Sequence, residues 1–95
     1  MYSYEPLTVI QIAENMSHLH GWEVEESTLT KLFRFKSYQE GLDFAAKVGK
    51  VADELNHHPD IHIGYEQVRV STTTHDTGSL TEYDFELVSR IEKIA

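Results

Sequence analysis

Apolar residues along this chain recur first at a helical interval, then at every second position, and the two rhythms alternate to the end. Thr8 to Leu19 carries Val9, Ile12, Ala13, Met16 and Leu19 at helical spacing. Thr8 with Gln11 fits a capping box, in which each side chain satisfies the other residue's free backbone N–H. Gly21 stands where such a helix stops. Trp22 to Glu26 and Leu29 to Lys36 then read as strands. In the second, Leu29, Phe33 and Phe35 share one face with Lys31 intruding, while Thr30, Arg34 and Lys36 point away. The link Glu26-Ser27-Thr28 is short enough for an antiparallel hairpin.

Ser37 and Glu40 form a second capping box and open the longest helix, running to about Asn56 with a stripe of Leu42, Ala45, Val48, Val51, Ala52 and Leu55. Pro59 forbids its continuation and pushes His58 out of the helical region. Ile61, Ile63 and Tyr65 alternate with His62 and Gly64. Val68, Val70, Thr72 and Thr74 alternate with Arg69, Ser71, Thr73 and His75. These predict two more strands joined by a tight turn near Glu66-Gln67. After a turn at Gly78, Ser79 and Glu82 read as a third capping box, opening a last helix that buries Leu87, Val88, Ile91 and Ile94. The order is helix, two strands, helix, two strands, helix. It predicts one α+β domain over residues 1–95: a four-stranded antiparallel sheet with three helices packed on one face.

Composition narrows the function classes. Sixteen acidic against eight basic residues give a formal charge of -8, with no basic cluster to offset it, which argues against direct contact with nucleic acid or an anionic membrane. With no cysteine, thiolate nucleophiles, disulfides and iron–sulfur ligation are excluded. Met1 to Pro6 lacks a basic region followed by an apolar core, so no signal peptide is expected and the expected compartment is the cytoplasm.

Six histidines leave acid–base chemistry as the chief candidate. His57 and His58 sit at the exit of the long helix, and His75 ends the fourth strand. If the second hairpin closes near residue 66, His75 returns to the end where Pro59 and Ile61 begin, so topology brings the three imidazoles toward one pocket. His62 reads as a solvent-face strand residue, and His18 and His20 as polar residues near a helix end. Asp84 lies on the apolar stripe of the last helix, where a carboxylate needs a partner. A nearby imidazole would suit it, and so would a place near the helix start, where negative charge favours the macrodipole; the sequence leaves both readings open. A metal site is disfavoured: Pro59 breaks the helical register of His58 and His62, and there is no helical His-Glu-x-x-His motif. Imidazole, with an unperturbed pKa of about 6.5, can both give and accept protons near neutrality.

The run Asp53-Glu54-Leu55-Asn56-His57-His58-Pro59-Asp60, then Tyr65, then Thr73-Thr74-His75-Asp76, then Asp84, resembles the pterin-4a-carbinolamine dehydratase family. Five residues separate Pro59 from Tyr65, nine separate Tyr65 from His75, and eight separate His75 from Asp84, as in that family. Gly21-Trp22 and Leu80-Thr81-Glu82-Tyr83-Asp84 also match, so the resemblance spans nearly the whole chain. It implies dehydration of a 4a-hydroxytetrahydropterin to quinonoid dihydropterin, the recycling step after pterin-dependent aromatic amino-acid hydroxylases. It implies no cofactor, the pterin being the substrate.

Carried over residue by residue, the resemblance makes His57 and His75 acid and base and His58 a catalytic or positioning partner. Asp84 would orient or charge-stabilise a histidine, and Asp53 would add a secondary polar contact. Thr73, Thr74, Asn56 and Pro59 fall on the substrate side. The resemblance also implies a homodimer or homotetramer and, for some members, a protein partner: a homeodomain transcription factor, which would add the nucleus as a compartment. Asp53 stands where the family often has glutamate, and Ile61 where it often has an aromatic residue. Two other readings remain: a binding module that stabilises a partner's dimer, which would show no turnover, and a metal-dependent hydrolase, which a chelator would silence.

Overall fold

The computed structural model describes residues 2–95; Met1 lies outside them. Seven elements follow in the expected order: α1 (Val9–Met16), β1 (Glu23–Glu25), β2 (Thr28–Arg34), α2 (Tyr38–Leu55), β3 (Asp60–Ile63), β4 (Gln67–Thr72) and α3 (Glu82–Ile94). The four strands form one antiparallel sheet in the order β1-β2-β4-β3. This is the α+β architecture that the alternating rhythms predict, with the three helices on one face.

The core lies between that face and the helices. Leu29 and Phe33 of β2, Val68 and Val70 of β4, Phe44, Val48, Ala52 and Leu55 of α2, and Leu87, Val88 and Ile91 of α3 are all buried. Each of these Val, Leu, Ile or Phe side chains removed from water contributes about 1.5–3 kcal/mol before chain entropy is set against it. Lys31 shares the apolar face of β2 because its ammonium has partners there. It meets Glu92 of α3 at 2.9 Å and the His20 carbonyl at 3.0 Å, while the Trp22 indole N–H donates to the same Glu92 carboxylate.

Several local expectations are corrected. The buried stripe of α2 is Gly41, Phe44, Val48, Ala52 and Leu55; Leu42 and Ala45 are only half-buried. Val9 is 84 % exposed, and α1 reaches the core only through half-buried Ile12 and Met16, followed by Leu19. Glu26 has a positive φ, so β1 ends before it. The β3–β4 turn closes one step earlier than expected, with the Gly64 amide on the Gln67 carbonyl and Gln67 already in β4. Thr8 and Gln11 do form a capping box. Ser37 caps α2 through the Glu40 amide, but Glu40 reaches back to the Lys36 amide. The cap of α3 is Thr81 with Asp84, not Ser79 with Glu82. No helix among the described residues is long and apolar enough to cross a membrane.

Candidate active site

The exit of α2 sets the geometry. Asn56 takes the left-handed conformation (φ 55°, ψ 42°) and the His57 amide reaches back to the Ala52 carbonyl at 3.1 Å, satisfying a helix-end acceptor while reversing the chain. This reversal turns His57 inward. His57 is only 8 % exposed, whereas His58 is open to solvent. His58 Nε2 meets Asp53 Oδ1 at 2.9 Å, and both side chains are open to solvent. Pro59, half-buried, then passes the chain into β3.

His57 Nε2 lies 2.7 Å from Asp84 Oδ1. Asp84 is the third residue of α3 and wholly buried, so both readings left open by the sequence are true at once: it sits in the first helical turn and it partners an imidazole. Oδ1 also accepts from the Thr72 hydroxyl at 2.7 Å. Oδ2 accepts from the Thr74 hydroxyl at 2.7 Å and from the Thr81 amide at 3.0 Å. Four donors thus occupy the four lone-pair sites of one carboxylate. The Thr74 proton is committed to Asp84, so the 2.8 Å contact between the Thr74 and Thr81 hydroxyls must have Thr81 as donor; Thr81 in turn accepts from the Tyr83 amide.

The network assigns a tautomer to His57. An acceptor-only carboxylate requires the proton on Nε2, which leaves the Nδ1 lone pair free in the neutral ring. Nδ1 has no hydrogen-bond partner among the described residues. No buried side-chain nitrogen or oxygen among them lacks one, so this atom reaches solvent. His57 also borders a cleft of about 300 Å³, lined with it by His58, His75, Asn56, Thr73 and Thr74, together with Tyr4 and Asp76. A roomier hollow of about 460 Å³ beside Arg34 and Lys47 gathers no histidine, and another of about 450 Å³ has His18 and His20 but none of His57, His58 and His75.

The structure therefore brings the three anticipated histidines together with Asn56, Thr73 and Thr74. Asp84 stands behind His57, Asp53 stands beside His58, and Pro59 lies next to the cleft without lining it. The Thr73 hydroxyl donates to the Ser27 carbonyl at 2.6 Å, pinning this stretch to the β1–β2 turn, while Thr74 turns its hydroxyl inward. Sequence reasoning missed Tyr4, Asp76, Thr72 and Thr81. For Thr72 a signal existed: a hydroxyl in register with the buried Val68 and Val70 must find a partner. For Tyr4 there was none. Its ring stacks on Tyr83 (centroids 4.2 Å apart, 16° between planes), and Tyr83 in turn lies 5.6 Å from the His57 ring. Burial first, and the neighbouring Tyr4 phenol second, push the Tyr83 phenol above its ordinary value. No group of three or more metal-ligating side chains is arranged around a common point among the described residues.

Residues 5–94 match the family model for pterin 4 alpha carbinolamine dehydratase. A Nostoc punctiforme protein, provisionally named a pterin-4-alpha-carbinolamine dehydratase, is 41 % identical over 88 residues, covering 93 % of this chain and 95 % of its own. A Sulfolobus acidocaldarius protein with the same provisional name is 39 % identical over 84 residues, covering 88 % and 92 %. Among solved structures, a transcriptional coactivator/pterin dehydratase from Brucella melitensis superposes with a TM-score of 0.91 at 29 % identity, covering 96 % of this chain and 99 % of its own. A pterin dehydratase-like protein that serves as a RuBisCO assembly factor in the alpha-carboxysome is more distant, with a TM-score of 0.65 at 25 % identity over 82 % of this chain and 93 % of its own. With nearly its full length matched by the family model, and with relatives near 40 % identity, the chain belongs to the pterin 4 alpha carbinolamine dehydratase family.

Proposed function

We propose that this protein is a hydro-lyase that dehydrates a 4a-hydroxytetrahydropterin to quinonoid dihydropterin by histidine acid–base catalysis. The observation that carries the reading is the His57 imidazole, clamped through Nε2 by a four-donor carboxylate at the border of a cleft shared with His58 and His75. The reaction breaks the C4a–O bond and removes the proton from N5. The electron pair left by that proton forms the C4a=N5 double bond, and the protonated hydroxyl leaves as water. One group must give a proton and another must take one, and the imidazole ring has a nitrogen suited to each task.

His57 and His75 fill these roles. His57 has its orientation fixed before substrate arrives, which removes reorganisation from the barrier. His58, steadied by Asp53, borders the same cleft and positions the substrate. The backbone around Thr73 and Thr74, pinned on one side by Ser27 and on the other by Asp84, offers hydrogen-bonding groups to the donor and acceptor edge of the pterin. Asn56 adds a polar side chain at the rim. The pterin is substrate and no cofactor enters the scheme. The protein serves pterin recycling in the cytoplasm as a homo-oligomer.

The test follows the ultraviolet absorbance of enzymatically generated 4a-hydroxytetrahydropterin with and without the protein. Acceleration over the spontaneous rate, insensitive to chelator and lost in His57→Ala and His75→Ala, is the expected result. If both substitutions leave turnover unchanged, the assignment of acid and base fails. Folded protein that gives no acceleration at all would favour the second reading, in which this fold stabilises a partner's assembly, as the name of the RuBisCO assembly factor suggests for that protein.

A further inference from the structure

The cleft has polar groups enough for the edge of a pterin, but its histidines and threonines leave open what meets the flat face of the ring. The N-terminal strap supplies a candidate. The Leu7 amide donates to the Leu80 carbonyl at 2.9 Å, tying the strap to the segment just before α3. Three residues earlier, Tyr4 lies almost parallel to Tyr83, while Tyr2 meets the same Tyr83 ring edge-on at 5.6 Å. Tyr83 directly precedes Asp84 and flanks His57, so the strap holds Tyr4 in fixed relation to the catalytic imidazole.

Tyr4 contributes little to the core. The residue is 48 % exposed even though its ring stacks on Tyr83, and it lines the cleft that holds the three histidines. It is the one tyrosine, phenylalanine or tryptophan on that lining. An aromatic surface left half open beside polar walls has the layout of a small-molecule site, in which an apolar plane takes the ring face and a few polar groups fix its orientation.

Resting on the dehydratase reading above, we infer that Tyr4 is a substrate-binding residue whose ring takes the planar pyrimidinone half of the pterin. The stack Tyr4–Tyr83 is the support that sets its position relative to His57. Stacking of a heterocyclic base on an aromatic side chain, removed by alanine, weakens binding by about tenfold or more.

The experiment titrates dihydrobiopterin into the wild-type protein and into Tyr4→Ala, Tyr4→Leu and Tyr4→Phe by calorimetry, with thermal midpoints measured on the same samples. Wild type and Tyr4→Phe are expected to bind alike, and Tyr4→Ala and Tyr4→Leu about tenfold more weakly, with the same loss appearing in KM more than in kcat. The leucine variant keeps apolar bulk, so a folded Tyr4→Leu protein that binds as tightly as wild type overturns the stacking role. If Tyr4→Ala also binds normally, Tyr4 is no part of the site. A wild-type protein that binds no pterin refutes the dehydratase reading itself, an outcome distinguishable from the failure of Tyr4 alone.

Discussion

Replacing Thr72 by valine removes one hydroxyl and nothing else of size, from a residue only 1 % exposed. The lost interaction is the 2.7 Å bond to Asp84 Oδ1. A hydrogen bond to a charged group contributes about 1.5–3 kcal/mol net. Asp84 would keep three of its four donors, so its charge is not orphaned, and the cost should fall at the low end, about 1.5–2 kcal/mol. For a domain of this size each kcal/mol moves the thermal midpoint by about 4–8 °C, which places the expected drop on the order of 10 °C.

Turnover should fall as well, because without Thr72 the Asp84 carboxylate is positioned by one donor fewer, and the His57 imidazole it orients is less firmly placed. Thermal denaturation followed by circular dichroism reads the first effect, and the dehydration assay the second. Thr72→Ser, which keeps the hydroxyl, should restore most of both. A Thr72→Val protein melting within about 1 °C of wild type, against the 4–8 °C that one kcal/mol produces, would refute the claim that all four donors are engaged. Combined with Thr74→Val, the loss should exceed the sum of the two singles, since the carboxylate would then keep only His57 and the Thr81 amide.

Asn56→Ala should cost about 1 kcal/mol in thermal denaturation and disturb His57, because a Cβ without a polar side chain is disfavoured at φ 55°, whereas Asn56→Gly should leave stability within a few tenths of wild type. Stability should also decline at alkaline pH through Tyr83. Its phenol is raised by burial and by Tyr4, so the unfolded chain ionises near pH 10 while the folded one still holds the proton. The contribution is complete below about pH 10 and lost as pH rises through the folded value; chemical denaturation across that range should show a shallower decline in Tyr83→Phe.

The order of elements was legible because each carries a clean period, and the meeting of His57, His58 and His75 followed from one hairpin reversal. What escaped was decided by contacts distant in sequence. Two overlapping signals precede the last helix, Ser79-x-x-Glu82 and Thr81-x-x-Asp84, and local pattern ranks them equally. The second prevails because β4 and the α2 exit deliver Thr72, Thr74 and His57 to Asp84, which no window around residue 80 contains. Phe44 displaced Leu42 from the buried stripe of α2 because Gly41, one turn before Ala45, lets that face approach Val68, whose methyl would stand 3.3 Å from an added Cβ. His57 turns inward because the one left-handed residue before it, Asn56, reverses the chain, which no periodic pattern in the sequence announces. Tyr4 belongs to no periodic segment, and only its ring stack places it.

The anchoring of Asp84 has a consequence for how this small protein keeps its site in order. Its donors come from the end of β4 and the residues just after it, the exit of α2 and the N-cap of α3. The Thr81 amide can exchange with solvent deuterium only when that junction comes apart, and the junction lies against core residues Leu80 and Leu87. Local fraying of the catalytic corner is therefore tied to opening of the whole molecule. Exchange of the Thr81 amide is expected to follow global unfolding, reporting the order of the catalytic corner and of the core together.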